Sequence, residues 1–218
     1  MVEHRQEFEH ELENIEAKVI ELFAMVGEDL PKATNALLTG DAEALGVLTE
    51  REQQIDALYP QIEELGNREI LLQQPVAADL RFLLSVLRIV PELERSHDLV
   101  LEIAVRATHI LSGELSPRTR GLVERMGDLA TGMWRQAADA WYQRDREAAI
   151  LLTQRDEEMD LLHASLIAEL ASGPMPIPIT MEMTLVARFY ERLGAHAVNI
   201  ARRVVYLAGT ADAKPARP

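Results

Sequence analysis

Apolar residues recur along the first part of the chain at alternating steps of three and four. This spacing places them on one face of an α-helix and predicts a helix over about residues 7–38. We expect Pro31, which falls inside this helix, to kink it. The apolar positions are Phe8, Leu12, Ile15, Val19, Leu22, Val26, Leu30, Ala33 and Leu37.

The same helical period continues to residue 208, interrupted by turn and capping residues. Asp41 and Ser116 are placed to cap the second and fourth helices, and Pro117 follows Ser116 as a first-turn proline. A loop over 172–178 contains three prolines and is not expected to be helical, and the tail 210–218 is predicted to be disordered. No strand pattern occurs. The predicted helices after the first span about 42–74 with Pro60 inside, 76–111 with Pro91 inside, 117–143, 145–171 and 181–208.

The two halves of the sequence are copies of each other. In the first two helices of each half, matching residues differ in number by 104, and in the third helix they differ by 97. The sequence therefore predicts an all-α fold of two tandem, pseudo-symmetric three-helix bundles, with repeats at 1–113 and 116–209. The matched pairs include Asp41 with Asp145, Leu48 with Leu152, Glu52 with Asp156, Asp56 with Asp160, Glu94-Arg95 with Glu191-Arg192, Ile103-Ala104 with Ile200-Ala201, and Arg106 with Arg203.

Composition and charge exclude several classes of function. The 218 residues carry a formal net charge of -14, which argues against non-specific binding of nucleic acid. The chain has no cysteine, so disulfides, thiolate metal sites and cysteine nucleophiles are absent. The N-terminus is acidic rather than signal-like, and no apolar run reaches the length of a membrane span. We expect a soluble, cytoplasmic protein that meets a membrane only through a partner.

The third helix carries an acidic ridge formed by Glu94, Asp98 and Glu102, each four residues from the next. Four residues turn an α-helix through about 400°, so these carboxylates lie along one side. Like charges at this spacing cost a few tenths of a kcal/mol per pair in an isolated helix. Either a bound cation or neighbouring basic side chains such as Arg88, Arg95 and Arg106 would offset that cost.

Enzyme signatures are weak. Glu94 and His97 form a Glu-x-x-His, as do Glu7 and His10, and ferritin-like di-iron bundles use this spacing. Glu7 and His10 lie near the chain start, so a chance match is the better interpretation. The sequence has no glycine-rich phosphate loop and no serine in a strand-to-helix elbow. These observations predict a binding protein rather than an enzyme.

Two three-helix repeats, each with a Glu-Arg pair on its third helix, resemble the PhoU family of phosphate-signalling proteins. Residues 74–81 (QPVAADLR) resemble that family's link into its third helix, and 187–194 (ARFYERLG) resemble its second-copy motif. The resemblance implies a cytoplasmic homodimer or larger oligomer that acts as an adaptor. The implied partners are a sensor histidine kinase and the ATPase subunit of a phosphate ABC transporter. Such adaptors keep the phosphate-starvation response off when phosphate is plentiful.

Some members of that family carry iron or zinc on the motif carboxylates, and magnesium would also suit carboxylate ligands. In the first repeat the implied ligands are Glu94, Asp98, Glu102 and Asp56, with Glu52 and Glu63 as weaker candidates. In the second repeat they are Glu191, Asn199, Asp156 and Asp160, with His163 and His196 as possible imidazole ligands. The second motif departs from the pattern because Ala195 stands at the middle carboxylate. A helical metal-storage or stress protein is therefore the alternative function.

Two further groups of residues stand out. Trp134 and Trp141 lie seven residues apart and match Leu30 and Leu37 of the first repeat, which predicts that they pack in the core or in a dimer interface. Several arginines accompany the third helix of each repeat and either balance nearby carboxylates or help to dock an acidic partner. They are Arg95, Arg188, Arg192, Arg202 and Arg203.

Overall fold

The computed structural model describes residues 2–109, 115–173 and 175–208, with side chains from residue 5 onward. Within these ranges the protein is helical and contains no strand, which confirms the predicted all-α class. The predicted end of the third helix near 111 and the predicted disordered tail lie outside the described residues. The helices are α1 (Val2–Thr39), α2 (Glu43–Gln73), α3 (Ala77–Ala107), α4 (Pro117–Gln143), α5 (Arg146–Gln154), α6 (Asp156–Ser172) and α7 (Ile177–Ala208).

Local sequence explains where several helices begin. The Asp41 carboxylate accepts hydrogen bonds from the first free amides of α2, at 3.0 Å from Glu43 N. Ser116 Oγ accepts from Thr119 N at 3.0 Å at the start of α4, and Pro117 is the first residue of that helix. These side chains satisfy amides that have no partner inside the helix, so both predicted caps are confirmed.

Three predicted boundaries differ from those in the structure. The fifth predicted helix is divided at Arg155 into α5 and α6, although the backbone of Arg155 keeps right-handed helical dihedrals (φ -74°, ψ -15°). The loop predicted over 172–178 is shorter, because α7 begins at Ile177 and holds Pro178 in its first turn. Proline is tolerated there since a first-turn residue has no carbonyl partner for its amide. The first helix also begins earlier than predicted, at Val2.

Each repeat is a bundle of three rods. In the first repeat α1, α2 and α3 pack against one another, and in the second α4 and α7 pack with the divided rod α5–α6. The repeats join where equivalent helices meet, α1 against α4 and α3 against α7. Both pairs run antiparallel, because partner numbers fall on one helix as they rise on the other. Antiparallel pairing of equivalent helices is the arrangement that an approximate twofold axis produces.

The α1–α4 contact is closest at Gly127. A Cβ built there would lie 2.5 Å from Thr34 Cγ2, so the backbone of α4 needs a glycine at this point. Thr34 cannot move away freely, because its Oγ1 donates to Leu30 O at 3.0 Å and lies 2.8 Å from the hydroxyl of the fully buried Tyr190. This contact fixes the two repeats relative to each other.

Both tryptophans lie in the core, as predicted. Trp134 and Trp141 are 1% and 0% exposed. Trp134 packs against Phe23 with ring centroids 6.1 Å apart, and Trp141 packs at the same distance against Phe82. Because each pair joins the two repeats, the apolar stripes form one continuous core. None of the helices in the described ranges is both long and apolar enough to cross a membrane.

Candidate cation-binding and docking surface

The acidic ridge lies where α2 and α3 pack, with access to solvent. Asp98 is exposed, and Glu94 and Glu102 are half-buried on α3. Asp56 of α2 is exposed and Glu52 is half-buried. The carboxylates that the sequence assigned to the first repeat are therefore on one accessible surface, and they are not enclosed by the core.

The charges on this surface repel one another. Burial and the neighbouring charge of Asp98 raise the pKa of Glu94. Burial and the charge of Asp56 raise the pKa of Asp98. Burial also raises the pKa of Glu52, with Asp56, Asp98 and Glu102 adding to the effect and His97 opposing it. Carboxylates that raise one another's pKa are stabilised by a cation placed between them.

Ion pairs neutralise only part of the ridge. Glu102 pairs with Arg106 at 2.6 Å. Among the residues that the structure describes, neither Glu94 nor Asp98 has a basic group within 4.0 Å. In the same residues, no three His, Asp or Glu side chains are placed together closely enough to hold a metal ion as they stand. The ridge is therefore a negative surface that is only partly compensated, by the ion pair at Glu102 and by the more distant charge of Arg95, and its carboxylates do not converge on one point.

A buried charged group behind the ridge was missed by the sequence reasoning. Asp29 of α1 is fully buried and its Oδ2 lies 3.2 Å from Nε2 of the buried His97. Lys32 and Arg51 approach the same carboxylate at 2.9 and 3.5 Å. Burial alone would raise the pKa of Asp29, but bonding to His97 and Lys32 and the charge of Arg51 hold it below its usual value. The sequence signal for this buried charge was Asp29 itself, which directly precedes Leu30 in the apolar stripe of α1.

The second repeat has a different centre. Met133 and Gly194 stand at the positions that correspond to Asp29 and His97. A Cβ on Gly194 would lie 3.3 Å from Met159 Cγ and 3.5 Å from Asp156 Oδ1, so no histidine fits there. The core of the second repeat is thus apolar where that of the first repeat is charged.

The carboxylates assigned to the second repeat are partly brought together. Burial and the charges of the neighbouring Asp160 and Glu191 raise the pKa of Asp156. Glu191 is also paired with Arg188 at 2.6 Å. His163 is half-buried on α6 and Asp160 is exposed. The second acidic surface therefore has fewer uncompensated carboxylates than the first.

His196 and Asn199 instead contact the first repeat. His196 Nδ1 lies 2.6 Å from Glu92 Oε2, and Asn199 Nδ2 donates to the same oxygen at 3.0 Å. Burial would raise the pKa of Glu92, but these two hydrogen bonds and the charge of His196 hold it below its usual value. Glu92, which the sequence reasoning missed, thus binds two predicted second-repeat ligands across the repeat boundary.

The two Glu-x-x-His motifs do not meet. His97 is buried against Asp29, whereas His10 is exposed near the start of α1. The 19 residues between His10 and Asp29 span about 28 Å of helix. Because the two motifs lie this far apart, they do not form a single di-iron site.

The arginines differ in how far they are compensated. Arg188 is paired with Glu191, as described above. Arg88, Arg95 and Arg192 are exposed, and among the described residues none has a carboxylate within 4.0 Å. Arg202 donates to the neutral side chain of Asn199 at 3.2 Å. Positive charge therefore remains on the solvent side of the α3–α7 contact.

Comparison with known proteins gives one consistent result. The family model of the PhoU domain matches the chain twice, over residues 19–107 and 123–204. A phosphate-specific transport system accessory protein PhoU homolog of Pseudomonas putida is 30% identical over 213 residues, covering 96% of this chain and 83% of that protein. A homolog of Mycobacterium leprae with the same description, numbered 1, is 31% identical over 212 residues, covering 94% of this chain and 93% of its own.

Solved structures of PhoU proteins also resemble this chain. The crystal structure of PhoU from Pseudomonas aeruginosa superimposes with a TM-score of 0.87 at 30% identity, covering 92% of this chain and 98% of that one. The phosphate transport system regulatory protein PhoU from Streptococcus pneumoniae gives 0.83 at 28% identity over 92% of this chain and 96% of its own. The repeated helical architecture, the twice-matched domain and these relatives lead to one conclusion: this protein belongs to the PhoU family.

Proposed function

We propose that this protein is a cytoplasmic regulatory adaptor of a phosphate-specific transport system. In this role it keeps the phosphate-starvation response off, and restrains uptake, while phosphate is plentiful. The proposal is carried by the double match to the PhoU domain across both repeats. Relatives of nearly the same length that are described as accessory proteins of phosphate transport support it.

We further propose that the adaptor works through contacts with a sensor histidine kinase and the transporter ATPase, as a homodimer. A binding protein of this kind acts by favouring one conformation of its partner, so it needs differential affinity rather than a reaction. The solvent-accessible acidic and basic surfaces of α3 and α7 are suited to such contacts. Sedimentation equilibrium of the purified chain tests the dimer, and a monomer at micromolar concentration would contradict it.

The regulatory role is tested by deleting the gene in its native host and growing the strain in phosphate-rich medium. We expect starvation-induced transcripts to rise, and to return to normal when the wild-type gene is supplied on a plasmid. Unchanged transcripts in the deletion strain would contradict the proposal. A binding assay with the purified kinase cytoplasmic portion and the purified ATPase then identifies which contact is responsible.

The acidic ridge supports a second, narrower proposal: a divalent or trivalent cation, such as iron, zinc or magnesium, binds beside Asp98 in the first repeat. Mutually raised pKa values of Glu94, Asp98 and Glu52 favour such an ion, and side-chain rotation would have to bring the carboxylates together. Metal analysis of protein prepared without chelator, and anomalous scattering from soaked crystals, test it. A metal-storage function would require that the protein bind many more than one metal ion per site.

A further inference from the structure

One face of α7 combines exposed apolar residues with two arginines, of which Arg188 is paired with Glu191. Ile177, Met181 and Leu185 are 76%, 65% and 43% exposed, although they are large hydrophobic residues. Arg188 and Arg192 continue the same row toward the C-terminus of the helix. At 100° per residue, all five lie within a sector of about 80°. We call this row the α7 stripe.

The α7 stripe lies beside the contact between α3 and α7. Its neighbours on α7 at the inner edge reach α3: Glu182 pairs with Arg106 at 3.0 Å and His196 binds Glu92. On the α3 side, Arg88 and Arg95 lie four residues before and three residues after Glu92, which places them on the same side of the helix, and both are exposed. The contacts of Glu92 with His196 and of Arg106 with Glu182 centre the antiparallel α3–α7 pair near Arg95 and Arg192, which the repeat relation matches with each other.

Three of the carboxylates near this region are already engaged. Glu182 binds Arg106, Glu92 binds His196 and Asn199, and Glu191 binds Arg188. Among the described residues of this chain of net charge -14, Arg88, Arg95 and Arg192 therefore have no carboxylate within 4.0 Å, although the charge of Arg95 acts at longer range on Glu92, Glu94 and Asp98. Basic side chains that have no close ion-pair partner, on a surface that is otherwise acidic, attract acidic ligands.

Acidic side chains border the row of arginines on both sides. On one side lie Glu94 and Asp98 of the acidic ridge, and on the other lie Asp156 and Asp160 of α6. A flat anionic membrane would press against both negative borders. A second copy docked through this same face by a twofold axis would bring Arg192 toward its own counterpart.

We propose that the α7 stripe, together with Arg88 and Arg95, is a docking site for an acidic amphipathic helix of a partner protein. The apolar side of that helix covers Ile177, Met181 and Leu185, and its carboxylates meet Arg95 and Arg192. From Ile177 to Arg192 the stripe is about 22 Å long, which matches a helix of about 15 residues. This inference rests on the proposed adaptor function for its biological meaning but not for its physical test.

The test uses the full chain and two synthetic 15-residue helical peptides with the same leucine face. One peptide carries glutamates on its polar face and the other carries lysines. Fluorescence anisotropy should show that the glutamate peptide binds at least tenfold more tightly, despite the strongly acidic protein. A photo-crosslinker at Leu185 should capture it, and one at Asp139 on α4 should not. Preference for the lysine peptide, or capture at Asp139 alone, would overturn the proposal.

Charge reversal gives a matched control. R95E/R192E should reverse the preference between the two peptides, while R125E/R135E, which makes the same charge change on exposed positions of α4, should leave it intact. Equal effects of the two double variants would overturn the proposal, because they would reflect net charge alone. Binding of the wild type to anionic lipid vesicles in preference to the glutamate peptide would also overturn it.

The proposed function can fail separately. If the glutamate peptide binds as expected and neither the kinase portion nor the ATPase binds the wild-type chain, the docking site stands and the regulatory assignment falls. If a partner binds equally to wild type and R95E/R192E, and the peptides show no preference, the docking site falls and the regulatory assignment stands.

Discussion

Glu92 of α3 and His196 of α7 lie 2.6 Å apart, Oε2 to Nδ1, and join the two repeats through side chains. Both are largely buried, with 19% and 10% of their side chains exposed. A hydrogen bond to a charged group contributes more to stability than a neutral one, and its loss leaves a desolvated carboxylate. The repeats are therefore held together by polar chemistry as well as by the shared core.

His196→Ala should lower the free energy of unfolding by about 1–2 kcal/mol at pH 7, since it removes packing and leaves Glu92 with Asn199 as its remaining hydrogen-bond donor. Urea denaturation followed by circular dichroism measures this loss. His163→Ala is the matched control: it removes a half-buried histidine of the same repeat and should cost under about 0.5 kcal/mol. Equal losses in the two variants would contradict a special role for the Glu92 contact.

The contribution of Glu92 should depend on pH in one direction. Its pKa in the folded state is below the usual value of 4.5, so the folded state favours the ionised form. The stabilisation is therefore complete above that value and is lost as the pH falls through the lower pKa of the folded state. The stability difference between wild type and Glu92→Gln should be largest near pH 7 and shrink below pH about 4. A difference that grows on acidification would contradict this assignment.

Asp29→Asn should destabilise the first repeat strongly. The substitution keeps the shape of the side chain but removes the charge that His97, Lys32 and Arg51 surround, at a cost of about 2–3 kcal/mol. Thermal unfolding measures it, with Asp139→Asn on the surface of α4 as a control expected to change little. In D29M/H97G, which copies Met133 and Gly194, the loss should be smaller than the sum of the two single changes. Strict additivity would show that the two side chains are not coupled.

Asp98→Asn should stabilise the protein when no metal is present. The raised pKa of Asp98 means that ionisation is less favourable in the folded state, so stability falls as pH rises through the window above its usual value of 3.8. Removing the charge should gain a few tenths of a kcal/mol at pH 7. Urea denaturation at pH 7 and pH 3 checks this, and the gain should disappear at the lower pH.

Repeating the Asp98→Asn measurement with added zinc or manganese separates the two explanations of the ridge. If a cation binds there, wild type gains stability with metal and the variant gains less. Glu157→Gln, which removes an exposed carboxylate from α6, should respond as wild type does. Equal metal effects on all three proteins would contradict a cation beside Asp98.

Gly127→Ala should destabilise the contact between the repeats. The added methyl group meets Thr34, which hydrogen bonds hold in place, and the overpacking should cost about 1–3 kcal/mol. Gly121→Ala lies on the same helix with no atom within 4 Å of the new Cβ and should be neutral or stabilising by up to about 1 kcal/mol. Denaturant midpoints of the two variants compare them directly, and a neutral Gly127→Ala would contradict the close approach.

Helical periodicity was sufficient to predict most of the fold. Trp134 and Trp141 were predicted to be buried because they occupy the same register as Leu30 and Leu37, and the structure confirms it. Periodicity did not reveal the break at Arg155, where the backbone remains in the helical region. It also placed Pro178 in a loop, because composition alone does not distinguish a proline in a loop from one in the first turn of a helix.

The candidate site was predicted less completely, because side-chain partners across the repeat boundary are not encoded in local spacing. Asn199 was assigned to its own repeat because it matches Glu102, and His196 because it follows Ala195 at the middle position of the second motif. The structure pairs both with Glu92 of the other repeat. The α7 stripe was also missed, since its first turn was assigned to a loop and the exposure of Ile177 follows only from packing.

The antiparallel pairing of equivalent helices also bears on ancestry. A single repeat on its own would expose the sides of α1 and α3 that now meet α4 and α7, and every copy of that repeat would expose the same surface. A second copy of such a chain would cover those sides in the same geometry, so the present architecture is the one that end-to-end fusion of a homodimer would produce. In a fused chain the two halves can diverge, so the first repeat can keep the charged pair Asp29 and His97 while the second repeat has Met133 and Gly194 at those positions.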